Sequence, residues 1–342
     1  MSEHEITTAG PLLTRDGRLA EVGWARRPLR DANLDQAAPG RLRRWRLKRW
    51  DYYGIWTPDL FVSATLSHLG YAALAFVYVV DLRDGTIAEQ TRIHLLGRGI
   101  DLPHDSDAGA VAFDDGAIRL AFAPAPGERR VRAAAPAFDG GRGLSIDLVL
   151  ATPPAHESIV VCTPLGGDRF YYNRKLNGLR GAGAVAWGTR TVAATAEHTL
   201  GQLDWGRGVW PYRSYWLWAS GNGVLPDGRV FGLNLGAGFG DLSHGTENAL
   251  FLDGRLHKLG AVTFAFDRQR FTRPWHLRDA AGRLDLELEV SAERVARANL
   301  GLIRSAVHQC FGRYRGVAVL DDGTRLDLDG VPGFAEEHVA RW

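Results

Sequence analysis

Leu284-Asp285-Leu286-Glu287-Leu288-Glu289-Val290 sets four aliphatic side chains and three carboxylates in strict alternation. Only a two-residue repeat sorts them cleanly, aliphatics to one face and acids to the other. A helix would scatter them round its surface. The segment therefore reads as a half-buried β-strand. Downstream, residues 317–320, the turn Asp322-Gly323 and Leu326-Asp327-Leu328 read as a hairpin. Upstream the same grammar recurs. Asp253-Gly254 precedes Val262-Thr263-Phe264-Ala265-Phe266, and Asp227-Gly228 precedes Val230-Phe231-Gly232-Leu233-Asn234-Leu235. Gly140-Gly141 precedes Leu144-Ser145-Ile146-Asp147-Leu148, and Asp115-Gly116 precedes Ile118-Arg119-Leu120-Ala121-Phe122. Asp84-Gly85 closes the apolar run 71–80, and Thr14-Arg15-Asp16-Gly17-Arg18 is a hairpin-type turn. Many short strands with turns at this spacing predict an all-β, antiparallel sandwich or barrel.

One stretch resists that pattern. Residues 292–309 place Val295, Leu302, Ile303, Ala306 and Val307 at spacings that suit a helix as well as a strand, and periodicity alone leans to helix. Pro153-Pro154 breaks the ladder and is the expected linker. The expected division is an N-terminal segment 1–49 covering the end of a sheet with Trp24, Trp45 and Trp50, a first half 50–152, and a second half 155–342.

Composition narrows the function classes. The chain of 342 residues is 45% hydrophobic and 23% charged, too apolar for disorder. A net charge of +2 selects for neither nucleic acid nor anionic membrane. The local basic run Arg41-Leu42-Arg43-Arg44-Trp45-Arg46-Leu47-Lys48-Arg49 reads as a solvated face or an internal partner for acids. No run of eighteen apolar residues and no apolar leader is visible, so no membrane span and a cytoplasmic location are expected. Cys162 and Cys310 lie far apart and read as free thiols. Nothing has the spacing of a metal site, and Gly236-Ala237-Gly238-Phe239-Gly240 has glycines without the following helix of a dinucleotide fingerprint. No metal and no cofactor are expected.

The chemistry concentrates around Leu203-Asp204-Trp205-Gly206-Arg207-Gly208-Val209-Trp210-Pro211-Tyr212-Arg213-Ser214-Tyr215-Trp216-Leu217-Trp218, which holds four of the 11 Trp. Charge at the rim of an aromatic segment suits a ligand pocket. It equally suits a sandwich core in which Asp204 pairs with Arg207. Further polar residues lie in or beside apolar strands: Lys175, two residues after Asn173; Asn234; and Glu247-Asn248, running into Ala249-Leu250-Phe251-Leu252. Buried polar groups cost ~1–3 kcal/mol each unless paired, so several together imply mutual satisfaction or a ligand.

At these motifs the chain resembles a family. Asp204-Trp205-Gly206-Arg207-Gly208-Val209-Trp210-Pro211-Tyr212, Trp216-Leu217-Trp218, Gly232-Leu233-Asn234-Leu235-Gly236, Thr246-Glu247-Asn248 and Asp253-Gly254 look like the bacterial domain family DUF 2804. Trp24-Ala25-Arg26-Arg27-Pro28-Leu29, Lys48-Arg49-Trp50-Asp51-Tyr52-Tyr53, Gln309-Cys310-Phe311-Gly312 and the closing segment from Gly333 fit it too. More distantly it is similar to the lipocalin-related proteins that include carotenoid 1,2-hydratase and tocopherol cyclase. That resemblance implies tandem lipocalin-like (calycin-type) β-barrels, an aromatic cavity for an apolar substrate, and strand rather than helix over 292–309. In the hydratase-like relatives an Asp beside a Trp-Gly pair is the suspected acid, and Asp204 with Trp205-Gly206 matches it.

The expected function is acid–base chemistry, as a hydratase, isomerase or cyclase, on a largely apolar or amphipathic small molecule. A carboxylic acid kept neutral by burial would protonate an alkene, with Asp204 and Glu247 as candidates. Trp216 and Trp218 would face the resulting cation. Lys175, Arg207, Tyr215, Asn234 and Asn248 complete the expected substrate-binding set. A non-catalytic carrier of a hydrophobic ligand would need the same cavity without the acid. A carbohydrate-active enzyme would need paired carboxyls facing across a cleft.

Overall fold

Alternation in sequence becomes alternation of burial. Leu284, Leu286 and Leu288 are buried, while Asp285, Glu287 and Glu289 turn outward. The structure is a computed structural model that describes residues 3–37, 43–300 and 303–341. Nearly all regular structure in it is β, and the long ladders are antiparallel. A short parallel pair, Gly10–Pro11 with Arg30–Asp31, lies in the N-terminal segment.

Two large curled sheets make two lobes in the expected lipocalin-like arrangement. The first, of 13 strands among the described residues, runs from Ile87–Leu95 through Leu47–Trp56, Leu200–Val209 and Phe170–Trp187 to Val111–Asp114. The second, of 9 strands, runs from Arg255–Lys258 through Val230–Ala237, Arg213–Val224 and Arg325–Arg341 to Val262–Ala265. The sheet changes between Val209 and Arg213, not at Pro153-Pro154. There the chain makes a turn, His156 N donating to Pro153 O, and Ile159–Pro164 rejoins the first sheet beside Phe170–Trp187. Residues 155–209, grouped with the second half in the sequence reading, thus pair into the first sheet.

Residues 292–300 and 303–309 are strand, and Leu302 lies outside the described residues. Leu284–Leu300 and Ile303–Val319 pair as one long hairpin. The register shifts between Val290 and Ala292. A bulge of this kind moves every later side chain to the opposite face. The helix-like spacing arises because Val295 lies on one strand of the hairpin and Ile303, Ala306 and Val307 on the next. Of the tryptophans placed over the sheet end, Trp24 is buried, Trp50 is half-buried and Trp45 is exposed. The basic run begins outside the described residues. Within it Lys48 is buried, donating to Leu69 O at 2.8 Å, and Arg49 pairs with Asp101. No described helix is long and apolar enough to cross a membrane.

The lobes meet across an aromatic seam. Trp56, Phe61 and Tyr78 of the first lobe pack on Trp218, Phe311 and Phe334 of the second. Phe61 and Phe311 lie 5.0 Å apart, Tyr52 and Trp218 5.5 Å. Each such ring pair adds ~0.5–1.5 kcal/mol beyond its buried area. A polar clasp lies beside them. Gly178 N donates to Asn222 Oδ1 at 2.6 Å, Asn177 Nδ2 to Ser220 Oγ at 2.8 Å, and Ser220 Oγ to Gln202 Oε1 at 2.7 Å. Gly178 has φ 73° at the bulge of Phe170–Trp187, a conformation that favours glycine.

Cys162 and Cys310 are free, buried and in different lobes, and burial pushes both thiols up to about 12. A thiol reagent at neutral pH is expected to find two thiols after denaturation and to react far more slowly with the native protein. Fast native labelling of either thiol would contradict this packing.

Candidate functional site

Strand alternation decides which side chains reach the seam. On Leu200–Val209, Leu203, Trp205 and Val209 join the first-lobe core. Asp204, Gly206 and Gly208 therefore point the other way. Both glycines are needed there. A methyl group on Gly206 would overlap the Trp50 ring, and one on Gly208 would run into Phe170 O and the Trp210 indole. On Arg213–Val224, Leu217 and Ala219 pack into the second lobe, and Trp216, Trp218 and Ser220 face the seam.

Asp204 meets Lys175 across the ladder between Phe170–Trp187 and Leu200–Val209, where the two are register partners. Lys175 Nζ lies 2.8 Å from Asp204 Oδ2 and 3.8 Å from Glu247 Oε2. It also sits 4.2 Å above the Trp218 ring. Asn173 Nδ2 donates to Asp204 Oδ1 at 2.6 Å. Asn234 fixes Trp218, accepting from its Nε1 at 2.8 Å and donating to Glu247 O at 2.9 Å. Asn248 is a clip beneath, accepting from Gly236 N at 2.6 Å and donating to Gly260 O at 2.8 Å. Gly236 leaves the space that the Glu247 carboxylate fills. The Glu247 loop is strapped by the N-terminal segment. Thr246 N and Oγ1 donate to the Glu3 carboxylate, which also pairs with Lys258 at 2.6 Å.

The third carboxyl is Glu336, only 6% exposed. Trp216 Nε1 donates to its Oε1 at 3.1 Å. Burial pushes Glu336 up to about 7, an effect that the Trp216 hydrogen bond, Arg294 and Lys175 oppose. Burial likewise raises Glu247, against the attraction of Lys175. Tyr171 is raised well above the usual phenol range by burial and by the charges of Glu247 and Asp204. The Tyr52 and Tyr78 hydroxyls lie 2.9 Å apart, and Tyr78 donates to Gln309 Oε1 at 2.9 Å. His338, its ring 3.9 Å from that of Trp216, is pushed down to about 3 by burial. The seam thus holds two carboxyls whose ionisation burial opposes, Glu247 and Glu336, close to Lys175 and in an aromatic surround.

Six of the expected residues come together: Asp204, Glu247, Lys175, Asn234, Trp216 and Trp218. Asn248 supports them from below. Tyr215 does not join. It faces the second lobe, donating to Glu337 Oε1 at 3.2 Å and accepting from Arg268 at 2.8 Å. Arg207 also points away, into the first lobe. It is fully buried against Asp51 at 2.9 Å and donates to Pro103 O, Trp50 O and Gly206 O. Asp204 and Arg207 are not partners, because three residues along a strand reverse the face. Arg207→Met is expected to lower stability by ~3–5 kcal/mol, since it strands buried Asp51 and three carbonyl groups. Denaturant unfolding measures this, and a loss below about 1 kcal/mol contradicts it. Sequence reasoning missed Glu336, Tyr52, Tyr78 and Gln309. The only signal for Glu336 was an acid pair inside the apolar run Gly333-Phe334-Ala335-Glu336-Glu337.

The family model described as "Domain of unknown function (DUF2804)" matches residues 3–342. No curated protein matches the chain at a significant level. Among solved structures, kievitone hydratase from Nectria haematococca is similar with a TM-score of 0.50 and 12% identity, over 86% of this chain and 88% of that one. A protein described as an AttH from Nitrosomonas europaea is similar with a TM-score of 0.47 and 17% identity, over 86% and 92%. At these identities the likeness concerns the fold.

Proposed function

The chain belongs to the DUF2804 family, and we propose that it performs acid–base chemistry on a largely apolar small molecule held at the seam between its lobes. The reaction class is addition or loss of water across a carbon–carbon double bond, or a related isomerisation or cyclisation. One observation carries this reading: three carboxyls, Asp204 and Glu336 buried and Glu247 half-buried, gathered near Lys175 among tryptophans and tyrosines.

Glu336 is the best-placed proton donor, because a general acid works best with a pKa near the working pH. It gives its proton to one alkene carbon, and the water oxygen bonds to the adjacent cationic carbon. The proton that water then loses restores the acid, so the balance is substrate plus one water. The Lys175–Asp204 pair orients a polar substituent of the substrate, and Trp216, already bonded to Glu336, lies beside the developing cation. The Trp218 face carrying Lys175 is not available to a cation, so Trp218 acts by holding Lys175. Buried carboxyls gathered on one lysine fit a carbohydrate-active site less well, since that needs an open cleft between two acids.

The test is native mass spectrometry of freshly purified protein, to identify a co-purifying ligand. That ligand is then incubated with enzyme in deuterium oxide. The proposal expects a product differing by one water, or solvent deuterium on carbon. A ligand that binds and never exchanges identifies a carrier instead.

A further inference from the structure

In the glycine-rich segment Gly236-Ala237-Gly238-Phe239-Gly240 the phenylalanine stands at a decisive place. A surface cleft of about 400 Å³ opens where the lobes meet, lined by Pro164, Leu165, Pro211, Tyr215, Phe239 and Asp241. Phe239 is its half-buried inner wall. Behind that ring stand Trp210 at 4.4 Å, Tyr171 at 5.3 Å and Trp216 at 6.0 Å. Trp50 closes the far side, 5.3 Å from Trp210 and 5.9 Å from Tyr171.

These rings form a box rather than a stack. Trp50, Tyr171 and Trp216 meet Trp210 at 87°, 83° and 87°. Phe239 meets Tyr171 at 83° and lies tilted at 45° against Trp210, its nearest ring. Crossed planes of this kind are the favoured arrangement for aromatic quadrupoles, and a saturated ring gains nothing from it. Tyr171 in turn feels the charges of Glu247 and Asp204. The order is therefore cleft, Phe239, aromatic box, carboxyl cluster.

The Phe239 loop turns sharply. Gly238 has φ 83° and Gly240 φ 80°, so the phenylalanine lies between two left-handed glycines. Beside Gly240, Asp241 N donates to Pro164 O of the first lobe at 3.0 Å.

We infer that Phe239 is a removable stopper over a slot for a flat aromatic ring, and that the substrate enters through this cleft and takes the position its ring now fills. The ligand class is a planar aromatic or extended conjugated molecule whose reacting end reaches the carboxyls and whose other end stays in the cleft. This rests on the seam being the site of chemistry.

The probes are 2-naphthol, which is flat, and decahydro-2-naphthol, which has the same skeleton saturated, titrated into the full chain by calorimetry. Phe239→Ala is expected to bind 2-naphthol roughly ten-fold more tightly than the parent, because no ring has to be displaced. Decahydro-2-naphthol should bind that variant roughly ten-fold more weakly than 2-naphthol does. If the alanine variant does not fold, Phe239→Trp carries the test, since a larger stopper must weaken 2-naphthol binding relative to the parent. Equal affinity in parent and variant, or equal affinity for the two alcohols, overturns the slot. Glu336→Gln separates this from the catalytic reading. Lost turnover with no effect at Phe239 keeps the chemistry and removes the slot. A Phe239 effect that survives Glu336→Gln, with no change in turnover, keeps the slot and removes the chemistry.

Discussion

Glu336→Gln is expected to remove turnover by a factor of about 10²–10⁴ while making the protein more stable at alkaline pH. The two effects have one cause. Burial raises the Glu336 carboxyl from an ordinary 4.5 to about 7 in the folded protein. Between those values the folded state binds more protons than the unfolded chain. Stability therefore falls as the pH rises through this window, and above it the ionised, buried group costs about 3 kcal/mol. Glutamine keeps the shape and can still accept from Trp216 Nε1, but it cannot ionise. The variant should match the parent near about pH 5 and exceed it by a few kcal/mol near about pH 8. Parent activity should fade above about pH 7 as the acid loses its proton. Urea unfolding across that range tests the stability half without any substrate. A variant that tracks the parent at every pH removes Glu336 from the acid role.

Much of the fold was legible because its signals are local. Leu284 to Val290 needs no partner to declare a strand, and the Asp-Gly turns at 227–228 and 322–323 mark hairpin ends within a few residues. The misreadings concern pairing at a distance. Pro153-Pro154 ends one strand, but a lobe ends only where strands stop pairing with their sheet, and no local residue records that. The helical look of 292–309 came from reading the end of one strand and the start of the next as a single segment, and only the ladder separates them. The candidate site divides in the same way. Asp204, Lys175, Asn234 and Glu247 stood out as polar residues in or beside apolar strands. That Asp204 meets Lys175 rather than Arg207 is a fact of cross-strand register. Its negative half could be read from the sequence, since residues 204 and 207 of one strand face opposite ways. Glu336 was hidden because Glu337 beside it gives the same signal while turning away from the seam, against the exposed Arg268 at 2.8 Å.

Lys175→Met is the most damaging single change expected at the seam. Lys175 Nζ faces Asp204 at 2.8 Å and Glu247 at 3.8 Å, with the Trp218 ring beneath it. Methionine fills similar volume and can rest on the indole, so packing is largely kept. What disappears is the positive charge, and buried carboxyls without a partner cost ~3–5 kcal/mol. The cost should shrink as the pH falls, because burial already favours the protonated form of Glu247. Adding Asp204→Asn to the methionine variant deletes the principal unpaired charge, and the asparagine can still accept from Asn173. The double variant should recover most of the lost stability, a coupling of at least about 2 kcal/mol in a double-mutant cycle. Recovery would leave a folded protein with its aromatic box and Glu336 in place but no ion pair. That protein separates two roles. If the pair only holds the lobes together, the restored variant turns over substrate like the parent. If the pair orients substrate, stability returns and turnover does not, with the loss falling on KM more than on kcat when the lost contact is a uniform binding contact. A methionine variant as stable as the parent near about pH 8 would mean that Asp204 and Glu247 do not depend on Lys175, and the seam would lose its central cation.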